Sequence, residues 1–426
     1  MIIIDEKGGS TVQNIKNKVA IANIREQFPA LNRTFKGKQV VYFDGPGGTQ
    51  MCKPSIKRIM DYIENGMANR DGLFPTSEET EAILAQARAE VAVLINGYED
   101  GVFFGANMTS LAYAISRMIA RDWKAGEEIV VTEMDHSANV DPWVQIAEDK
   151  GMTIQRIPVN VDSLTLDRAV IETMIHPKTK AVFLGLASNG VGTINNVKPY
   201  IEAAKAVGAL TVIDAVQAIP HIAVDQKALG ADLVLGSGYK VFGPHIGFAS
   251  MNPDLFSKYK PYKLIPAHNE PPSSMETGTQ NHEGIAGMIG AVEFIESIGK
   301  GQSKRQRIIN AYQLFEEQEH QMASFLKEEI SKVEGVKMFI PATHVPSTPT
   351  ISFVVDGVPS STISKYLADE HAIFAANGHF YAYQLAKKLD VMKYDGWLRV
   401  GLSPYNTLEE CERFIDGLKE CLKTNL

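Results

Sequence analysis

Lys240 and Asp214 are the two residues whose types and positions point most directly to chemistry. Asp214 ends the β-branched run Leu210–Ile213, and Lys240 closes a short polar turn after a second apolar run, Leu233–Leu235. Such runs are typical of buried strands in a parallel sheet, whose carboxyl ends open into the crevice where ligands bind. The intervening segment has room for one crossover with a short helix. We therefore expect both side chains to approach one ligand from neighbouring strand ends.

These two residue types are what pyridoxal 5'-phosphate requires. A lysine must form a Schiff base with the cofactor's aldehyde, and a carboxylate must keep the pyridine nitrogen protonated so that the ring can accept electrons. Burial would lower the pKa of the Lys240 amine, and Asp214 would accept a charge-assisted hydrogen bond from the ring nitrogen. Gln217, one turn further, could reach the ring oxygen. The alternative is that Asp214 caps a helix and that Lys240 is a solvated loop residue.

Two further strand ends carry polar residues that suit the same ligand. The turn Phe104–Asn107 feeds a helix that begins near Met108, and the N–H groups and dipole at a helix N-terminus attract a phosphate. Asn107 is also an ordinary N-cap residue, which is the alternative there. His136 follows another strand end, where an imidazole could stack on the cofactor ring and transfer protons. A purely structural histidine is the alternative at that position.

Three later residues are candidates for cofactor or substrate contacts. Asn189 follows the run Ala181–Leu186, and Thr279 lies in a polar glycine turn that, taken alone, predicts only a loop. Arg399 lies inside the apolar run Trp397–Leu402. A buried arginine needs an anionic partner, and its planar fork suits the α-carboxylate of an amino acid. An internal salt bridge is the alternative for Arg399.

The composition argues against several other functions. The chain has 426 residues, of which 45% are hydrophobic and 22% charged, as in an ordinary globular enzyme. A net charge of −8 and the lack of a basic run argue against nucleic-acid or membrane-surface binding. The N-terminus lacks the features of a signal peptide, and no apolar run approaches the ~18 residues of a membrane span. Three widely spaced cysteines without a CxxC pair favour a reducing cytoplasm over a disulfide framework or a metal site.

Strand and helix signals alternate between residues 101 and 250. Short β-branched runs alternate there with amphipathic stretches, which predicts an α/β fold with a mainly parallel sheet covered by helices. The predicted strands are Val102–Phe104, Ile129–Val131, Ile154–Val159, Ala181–Leu186, Leu210–Ile213, Leu233–Leu235 and Gly247–Ser250. Apolar residues at helical spacing predict two earlier helices, Pro54–Ala68 and Ser77–Leu94.

The last third of the chain predicts a second, smaller α/β unit. A long helical run, Ile289–Val333, is interrupted near Gly299 and could bridge two domains. The predicted order after it is strand, helix, strand, helix: Thr350–Val355, Ser360–Glu370, Trp397–Leu402 and Leu408–Leu422. We therefore predict an N-terminal arm or small-domain segment at 1–40, a large cofactor-binding domain at 41–300 and a small C-terminal domain at 301–426.

The motifs of the predicted site occur in a characteristic order along nearly the whole chain from Tyr42. They are Met134-Asp135-His136, Ser188-Asn189, Asp214-Ala215-Val216-Gln217-Ala218, Ser237-Gly238-Tyr239-Lys240, Phe242-Gly243-Pro244, Thr277-Gly278-Thr279, and Arg399 with Tyr405-Asn406-Thr407. In type and order they resemble the aminotransferase class V family of fold-type I pyridoxal phosphate enzymes. Within that family they are most similar to the group II cysteine desulfurases and selenocysteine lyases.

The resemblance implies a role for each residue of the site. It implies that Lys240 forms the Schiff base and transfers protons, that His136 stacks on the ring and that Arg399 binds the substrate carboxylate. It assigns the pyridine nitrogen to Asp214, the ring oxygen to Gln217 and Asn189, and the phosphate to Ala106, Asn107, Ser237 and Tyr239. Thr279 would reach the phosphate of a second subunit. The resemblance therefore implies a homodimer with shared active sites that acts on an amino acid.

Several positions depart from the family pattern and bear on the reaction. Desulfurases carry a loop of the type Arg-Thr-Gly-His-His-Cys, whose cysteine takes up sulfur as a persulfide. The matching run here is Ala376-Asn377-Gly378-His379-Phe380-Tyr381. Tyr381 replaces the thiol and Ala376 replaces a substrate-binding arginine, so His379 and Tyr381 are the predicted substrate contacts of this loop. Tyr239 replaces a histidine and Asn107 a threonine, so altered phosphate contacts are expected.

The predicted reaction is β-elimination by a C–S lyase that lacks a persulfide cysteine. Lys240 would remove the α-proton, and His136 or Tyr381 would protonate the leaving group, giving pyruvate, ammonia and free sulfide or a thiol. An amino-acid epimerase and an aminotransferase are the alternatives within the enzyme class. A non-catalytic scaffold of the same fold is the alternative from a different class, and the intact Lys240, Asp214 and Arg399 argue against it.

Overall fold

The structure is a computed structural model that describes residues 23–425. Short strands and helices alternate along this part of the chain. The strands are β1 Thr34–Phe35, β2 Lys38–Gln39, β3 Val41–Tyr42, β4 Val102–Gly105, β5 Glu128–Thr132, β6 Thr153–Ile157, β7 Val159–Asn160, β8 Thr165–Leu166, β9 Thr179–Gly185, β10 Leu210–Asp214, β11 Leu233–Ser237, β12 Gly247–Met251, β13 Val336–Phe339, β14 Thr350–Val355, β15 Ile373–Phe374, β16 Ala376–Gly378 and β17 Trp397–Gly401. The α-helices are α1 Lys53–Glu64, α2 Pro75–Ile95, α3 Met108–Ile119, α4 Asp141–Asp149, α5 Ile171–Met174, α6 Lys198–Ala206, α7 Gln226–Leu229, α8 His282–Ile298, α9 Lys304–Ser331, α10 Ser360–His371, α11 Tyr383–Lys388 and α12 Leu408–Asn425. Residues 1–22 of the predicted N-terminal arm lie outside the described residues.

A seven-stranded sheet carries the predicted cofactor site. Its strand order is β4-β12-β11-β10-β9-β5-β6. Every neighbouring pair is parallel except the two that β12 makes with β11 and β4. The mainly parallel sheet predicted from the sequence is therefore confirmed. Because β10 and β11 are parallel neighbours, their last residues, Asp214 and Ser237, lie at the same edge of the sheet.

Apolar residues on both faces hold this sheet between two layers of helices. In β4, Val102 and Phe104 pack into one core while Phe103 packs into the other, because successive strand side chains point to opposite faces. Helices α3 and α4 contribute to one of these cores, and α2 and α8 contribute to the other. Trp143 of α4 stacks on Phe183 of β9 with ring centroids 4.3 Å apart. Burial on both faces explains why the strands are near-continuous apolar runs.

A second sheet, four-stranded and antiparallel, carries Arg399. Its order is β13-β14-β17-β16, and it packs on α10, α12 and the end of α9. Arg399 lies in β17 between Ser352 of β14 and Ala376 of β16. The short strand β3 pairs with β15, and Asp44, just after β3, bridges to Gly401. Residues near the start of the described chain therefore lie beside Arg399.

The boundaries of several elements differ from the predicted ones. Helix α1 ends at Glu64 instead of Ala68, with Asn65 as its C-cap. The predicted strand 154–159 is divided into β6 and β7 around Pro158, because proline has no N–H to donate to a ladder. No described helix combines the length and the apolar character that a bilayer span requires. The domain boundaries at residues 40 and 300 stay predictions.

Gly247 couples the sheet to the turn that begins α3. A Cβ atom at this position of β12 would lie 2.3 Å from the backbone carbon of Asn107, so Gly247→Ala must push that turn out of place. We expect a loss of about 1–3 kcal/mol in the free energy of unfolding, together with weaker cofactor binding. Urea unfolding and cofactor titration measure the two effects.

Gly126→Ala is the control for that substitution. Gly126 has φ +83° and open space around its position, so the change strains only the local backbone and leaves the Asn107 turn intact. It should cost about 1–2 kcal/mol of stability and leave cofactor affinity unchanged. Equal cofactor affinities in the two variants would contradict the proposed coupling.

Candidate active site

Lys240 lies at the edge of the large sheet, in a 3-10 turn directly after β11. The side chain is buried, and its Nζ donates a hydrogen bond to the carbonyl oxygen of Pro46. Burial and then the positive charge of Arg399 lower the pKa of the amine to about 8, although the charges of Asp214 and Asp44 act to raise it. A lysine with this pKa is available as a neutral nucleophile near physiological pH. Its burial excludes the alternative of a solvated loop residue.

Asp214 ends β10, beside the turn that carries Lys240. Its Oδ1 accepts a hydrogen bond from the backbone N–H of Val216 at 2.9 Å. Burial raises the pKa of the carboxyl to about 6, although that hydrogen bond and the charge of Lys240 both act to lower it. A protonated ring nitrogen would give this buried carboxylate the cationic partner that stabilises its charge.

Gln217 supplies the test of whether the site fits the cofactor. The side chain is buried, and among the described residues neither its amide nitrogen nor its amide oxygen has a hydrogen-bond partner. A buried polar group that lacks a hydrogen-bond partner lowers the stability of a protein by about 1–3 kcal/mol. The amide lines an inner pocket of about 70 Å³ together with Asp214 and Lys240. A polar ring bound in that pocket would satisfy it, so these residues fit pyridoxal phosphate.

The N-terminus of α3 forms another wall of the inner pocket. Asn107 is the N-cap of α3, and its Oδ1 accepts a hydrogen bond from the N–H of Ser110 at 2.8 Å. Asn107, Thr109, Ser237 and Tyr239 all line the pocket, whereas Ala106 does not. The Asn107 side chain is thus engaged in capping, and the first N–H groups of α3 are the donors that a phosphate would use.

His136 follows β5 and is neutral in this structure. Its Nδ1 accepts a hydrogen bond from the N–H of Ala138 at 3.0 Å, so the ring proton is on Nε2. Burial lowers the pKa of the imidazole to about 3, and the charges of Lys240 and Arg399 contribute. The ring stacks on Tyr381 with centroids 5.3 Å apart. His136 can therefore donate a hydrogen bond from Nε2 but is a poor base.

Asp135 is a buried residue for which the sequence predicted no role of its own. Its Oδ2 accepts hydrogen bonds from Asn139 Nδ2 and from the N–H of Gly185, both at 2.8 Å, which ties the His136 turn to the end of β9. Burial raises the pKa of this carboxyl to about 7. The sequence signal that could have identified Asp135 is its position immediately before His136, just after a strand end.

Arg399 is buried and touches three groups. Nη1 donates to the carbonyl oxygen of Asn189 at 3.0 Å, and Nη2 donates to Asp44 Oδ1 at 2.7 Å. The ring of Phe380 covers one face of the guanidinium at 3.6 Å. Among residues 23–425, Nε has no hydrogen-bond partner. The internal salt bridge considered as the alternative is therefore present, yet Arg399 keeps an unpaired donor.

The loop that carries Tyr381 is held against the site by its carbonyl groups. Ser137 N donates to the oxygen of Tyr381, and Asn189 Nδ2 donates to the oxygen of Phe380, both at 2.7 Å. Phe380 and Tyr381 both have positive φ, at 50° and 60°, which is rare for such side chains. The Asn189 amide nitrogen is thus engaged by the loop and not by the predicted ring oxygen.

An outer cleft of about 590 Å³ lies above the inner pocket. Its walls include Asp44, Pro46, Gly47, Thr109, Tyr113, His136, Ser137, Ala138, Asp141, Pro142, Asn189, Tyr239, Lys240, Ala376, Phe380, Tyr381 and Arg399. His379 is not a lining residue; it accepts a hydrogen bond from the N–H of Tyr381 at 3.1 Å. Thr279 is exposed on a separate pocket beside Arg70. The structure thus brings neither His379 nor Thr279 into the cleft of its own chain.

Comparison with known proteins identifies the family. Residues 41–414 match the model described as Aminotransferase class-V. The chain belongs to this family. Among its relatives, a cysteine desulfurase of Serratia proteamaculans (strain 568) is 28% identical over 419 residues, which cover 95% of this chain and 98% of that protein. A probable cysteine desulfurase of Pyrococcus abyssi (strain GE5 / Orsay) is 29% identical over 405 residues, covering 91% and 95%.

A solved structure supports the same assignment. The apo structure of a cysteine desulfurase from Thermococcus onnurineus NA1 superposes with a TM-score of 0.85 at 26% identity, covering 95% of this chain and 98% of that one. Members of the family use pyridoxal phosphate, and the chain is a pyridoxal phosphate-dependent, cysteine desulfurase-like enzyme. The predicted family, fold and cofactor are confirmed. The roles of individual site residues stay predictions.

The buried carboxyls predict how the stability of the cofactor-free protein depends on pH. The folded-state pKa values of Asp135 and Asp214 are about 7 and about 6, both above the ordinary value of 3.8. In that window these two carboxyls bind more protons in the folded state than in the unfolded state, so their contribution to stability falls as the pH rises from about 4 to about 7. His136, whose pKa is lowered to about 3, contributes in the opposite direction below its ordinary value of 6.5. Asp135→Asn should make the fall shallower, as measured by urea unfolding across this range.

The exposed residue Asp162 provides the matched control for that experiment. Asp162→Asn removes a carboxylate without changing the buried site, so it should reproduce the wild-type pH profile. If the two variants give the same slope, burial of Asp135 is not the cause of the fall.

Proposed function

We propose that the protein is a C–S lyase that acts on an amino acid by β-elimination and releases sulfide or a thiol without a protein persulfide. The observation that carries the proposal is the side chain at the mouth of the cleft. Tyr381, which is 65% exposed, occupies the position where the resemblance to desulfurases places a cysteine. A phenol cannot accept sulfur as a persulfide, so the leaving group departs from the cleft.

The three cysteines support the same proposal. Cys52, Cys411 and Cys421 are all buried, and within the described residues no thiol lines the cleft. Burial raises the pKa of the Cys52 thiol to about 12 and that of Cys411 above its usual range. Because the thiolate is the reactive form, neither of these residues is suited to take over the role of the missing cysteine.

Each of these side chains of the cleft has a separate role in the proposed reaction. When bound, pyridoxal phosphate supplies an electron sink that weakens bonds at the substrate's α-carbon. Lys240 removes the α-proton, the Cβ–S bond breaks with its electron pair on sulfur, and the Tyr381 hydroxyl protonates that sulfur. The N–H at Nε2 of the neutral His136 can stabilise the departing thiolate by a hydrogen bond. Arg399 orients the substrate through its carboxylate. Hydrolysis of the remaining three-carbon product gives pyruvate and ammonia.

Two alternative reactions keep the same cofactor and fold. An epimerase needs a proton donor and a base on opposite faces of the α-carbon, and the low pKa of His136 makes it an unsuitable base. An aminotransferase would return the proton from Lys240 to the cofactor and release a keto acid. Elimination is favoured over both because Tyr381 stands where the family pattern has the persulfide-forming cysteine, while Lys240, Asp214 and Arg399 are retained.

A homodimer is part of the proposal. Thr279 is predicted to act on the phosphate of a second subunit, and it lies on an exposed surface of its own chain. Leu73 and Ile265, which are 99% and 97% exposed, are large apolar side chains that a second copy would cover. We propose a cytoplasmic location as well, supported by the buried thiols.

A panel of amino acids tests the reaction. Holoenzyme is mixed with cysteine, its S-alkyl conjugates and alanine, while pyruvate, sulfide or thiol, and deuterium uptake at Cα are followed. We expect pyruvate and the sulfur product in equal amounts from the sulfur-containing substrates. Lys240→Ala should lower this rate by about 10²–10⁴-fold. Deuterium uptake without pyruvate would indicate an epimerase, and alanine as the product from cysteine would contradict elimination.

The substitution Tyr381→Cys tests whether the missing thiol decides the fate of sulfur. With cysteine as substrate, the new thiolate would attack the substrate sulfur and the C–S electron pair would leave on carbon, so this variant should release alanine and acquire a protein persulfide. The persulfide is detected as a 32 Da mass increase that a thiol reductant removes. Tyr383→Cys is the control, because Tyr383 is also exposed but lies two residues further along, and it should gain no sulfur. A persulfide on the wild-type protein would overturn the proposed release of free sulfur.

A further inference from the structure

Asp44 forms a salt bridge with the guanidinium of Arg399 in the wall of the cleft. Its Oδ1 lies 2.7 Å from Nη2, and its side chain is 40% exposed to the cleft, whereas that of Arg399 is buried. The sequence does not predict this contact, because the two residues are far apart along the chain. Asp44 is the carboxylate that Arg399 binds in this structure.

The geometry of the guanidinium makes this contact incompatible with full binding of a second carboxylate. A carboxylate bound in two-pronged fashion uses either the Nη1/Nη2 pair or the Nε/Nη2 pair. Nη1 already donates to Asn189 O, and Nε is buried with no hydrogen-bond partner among the described residues. Both pairs include Nη2, which is the atom that Asp44 holds.

One structural feature allows Asp44 to leave this position, and another allows it to occupy the position. The carboxylate is partly exposed, so it can rotate into the open cleft without breaking buried contacts. Its other oxygen, Oδ2, lies over Gly47, where a Cβ atom would be only 2.2 Å away. The bound position of Asp44 thus exists because residue 47 has no side chain.

We propose that Asp44 is a specificity-determining residue, a carboxylate of the protein that competes with the substrate carboxylate for Arg399. The inference rests on the proposed function through one assignment, that Arg399 binds the substrate carboxylate. It does not depend on whether the reaction is elimination, epimerisation or transamination. A substrate must offer a free carboxylate that binds Nη2 in order to displace Asp44, so amines without a carboxylate and amino acids with a blocked carboxylate are rejected.

Binding of simple probes to the holoenzyme tests the competition. Propionate carries the carboxylate without the amine, and its Kd is measured by calorimetry. Asp44→Asn keeps the shape of the side chain but removes its charge, and we expect propionate to bind about five- to tenfold more tightly. Gly47→Ala keeps the charge but forces Oδ2 away, and we expect tighter binding of about the same size.

Asp141→Asn is the matched control. Asp141 is another carboxylate in the wall of the cleft, so its removal changes the local charge without touching the Arg399 contact. It should change the Kd of propionate less than about twofold. Ethylamine, which carries an amine without a carboxylate, should bind equally to wild type and to Asp44→Asn.

The outcomes separate this inference from the proposed function. Arg399→Gln should abolish propionate binding; if it does not, the carboxylate role of Arg399 fails and the inference fails with it. If Arg399→Gln weakens binding but Asp44→Asn leaves it unchanged or weaker, Asp44 only positions the guanidinium and the competition is overturned. An equal gain in Asp141→Asn would also overturn it, because general charge in the cleft would then be the cause.

Discussion

The burial of an amine and a carboxylate at two adjacent strand ends is the constraint on which the site depends. Desolvation moves the pKa of Lys240 down and that of Asp214 up, so each group is closer to its neutral form than it would be in water. A parallel sheet with both faces covered by helices provides this environment, since its strand ends form a polar edge of an apolar core. The buried amide of Gln217, which has no hydrogen-bond partner among the described residues, belongs to the same edge.

The second sheet completes the cleft by bringing distant segments to that edge. Arg399 in β17 contacts Asp44, which follows β3, while Pro46 in the same segment accepts the hydrogen bond of Lys240. The short stretch 44–46 therefore links the amine on the large sheet to the guanidinium on the small one. A displacement of this stretch would therefore alter both contacts.

The sequence predicts the parts of the site that local patterns determine. Asp214 and Lys240 follow apolar runs, so their strand ends could be located from periodicity and their proximity from parallel pairing. Asp44 could not be found in this way, because its contact with Arg399 joins segments that lie hundreds of residues apart. Phe380 could not be found either, because its contact with Arg399 depends on a loop with positive φ. His379 was predicted as a substrate contact from the loop motif; in the structure its ring contacts Tyr381 and Tyr383 and it is not a lining residue of the cleft, and its role stays a prediction.

The burial of all three thiols has a consequence for the chemical durability of the enzyme. Alkylating agents and peroxides attack exposed thiolates first, and the cysteines here are enclosed in the two hydrophobic cores that contain Cys52 and Cys411 with Cys421. Tyrosine stands at the mouth of the cleft, and among the described residues no cysteine lines its walls. Oxidants and alkylating agents that enter the cleft therefore meet no cysteine thiol there.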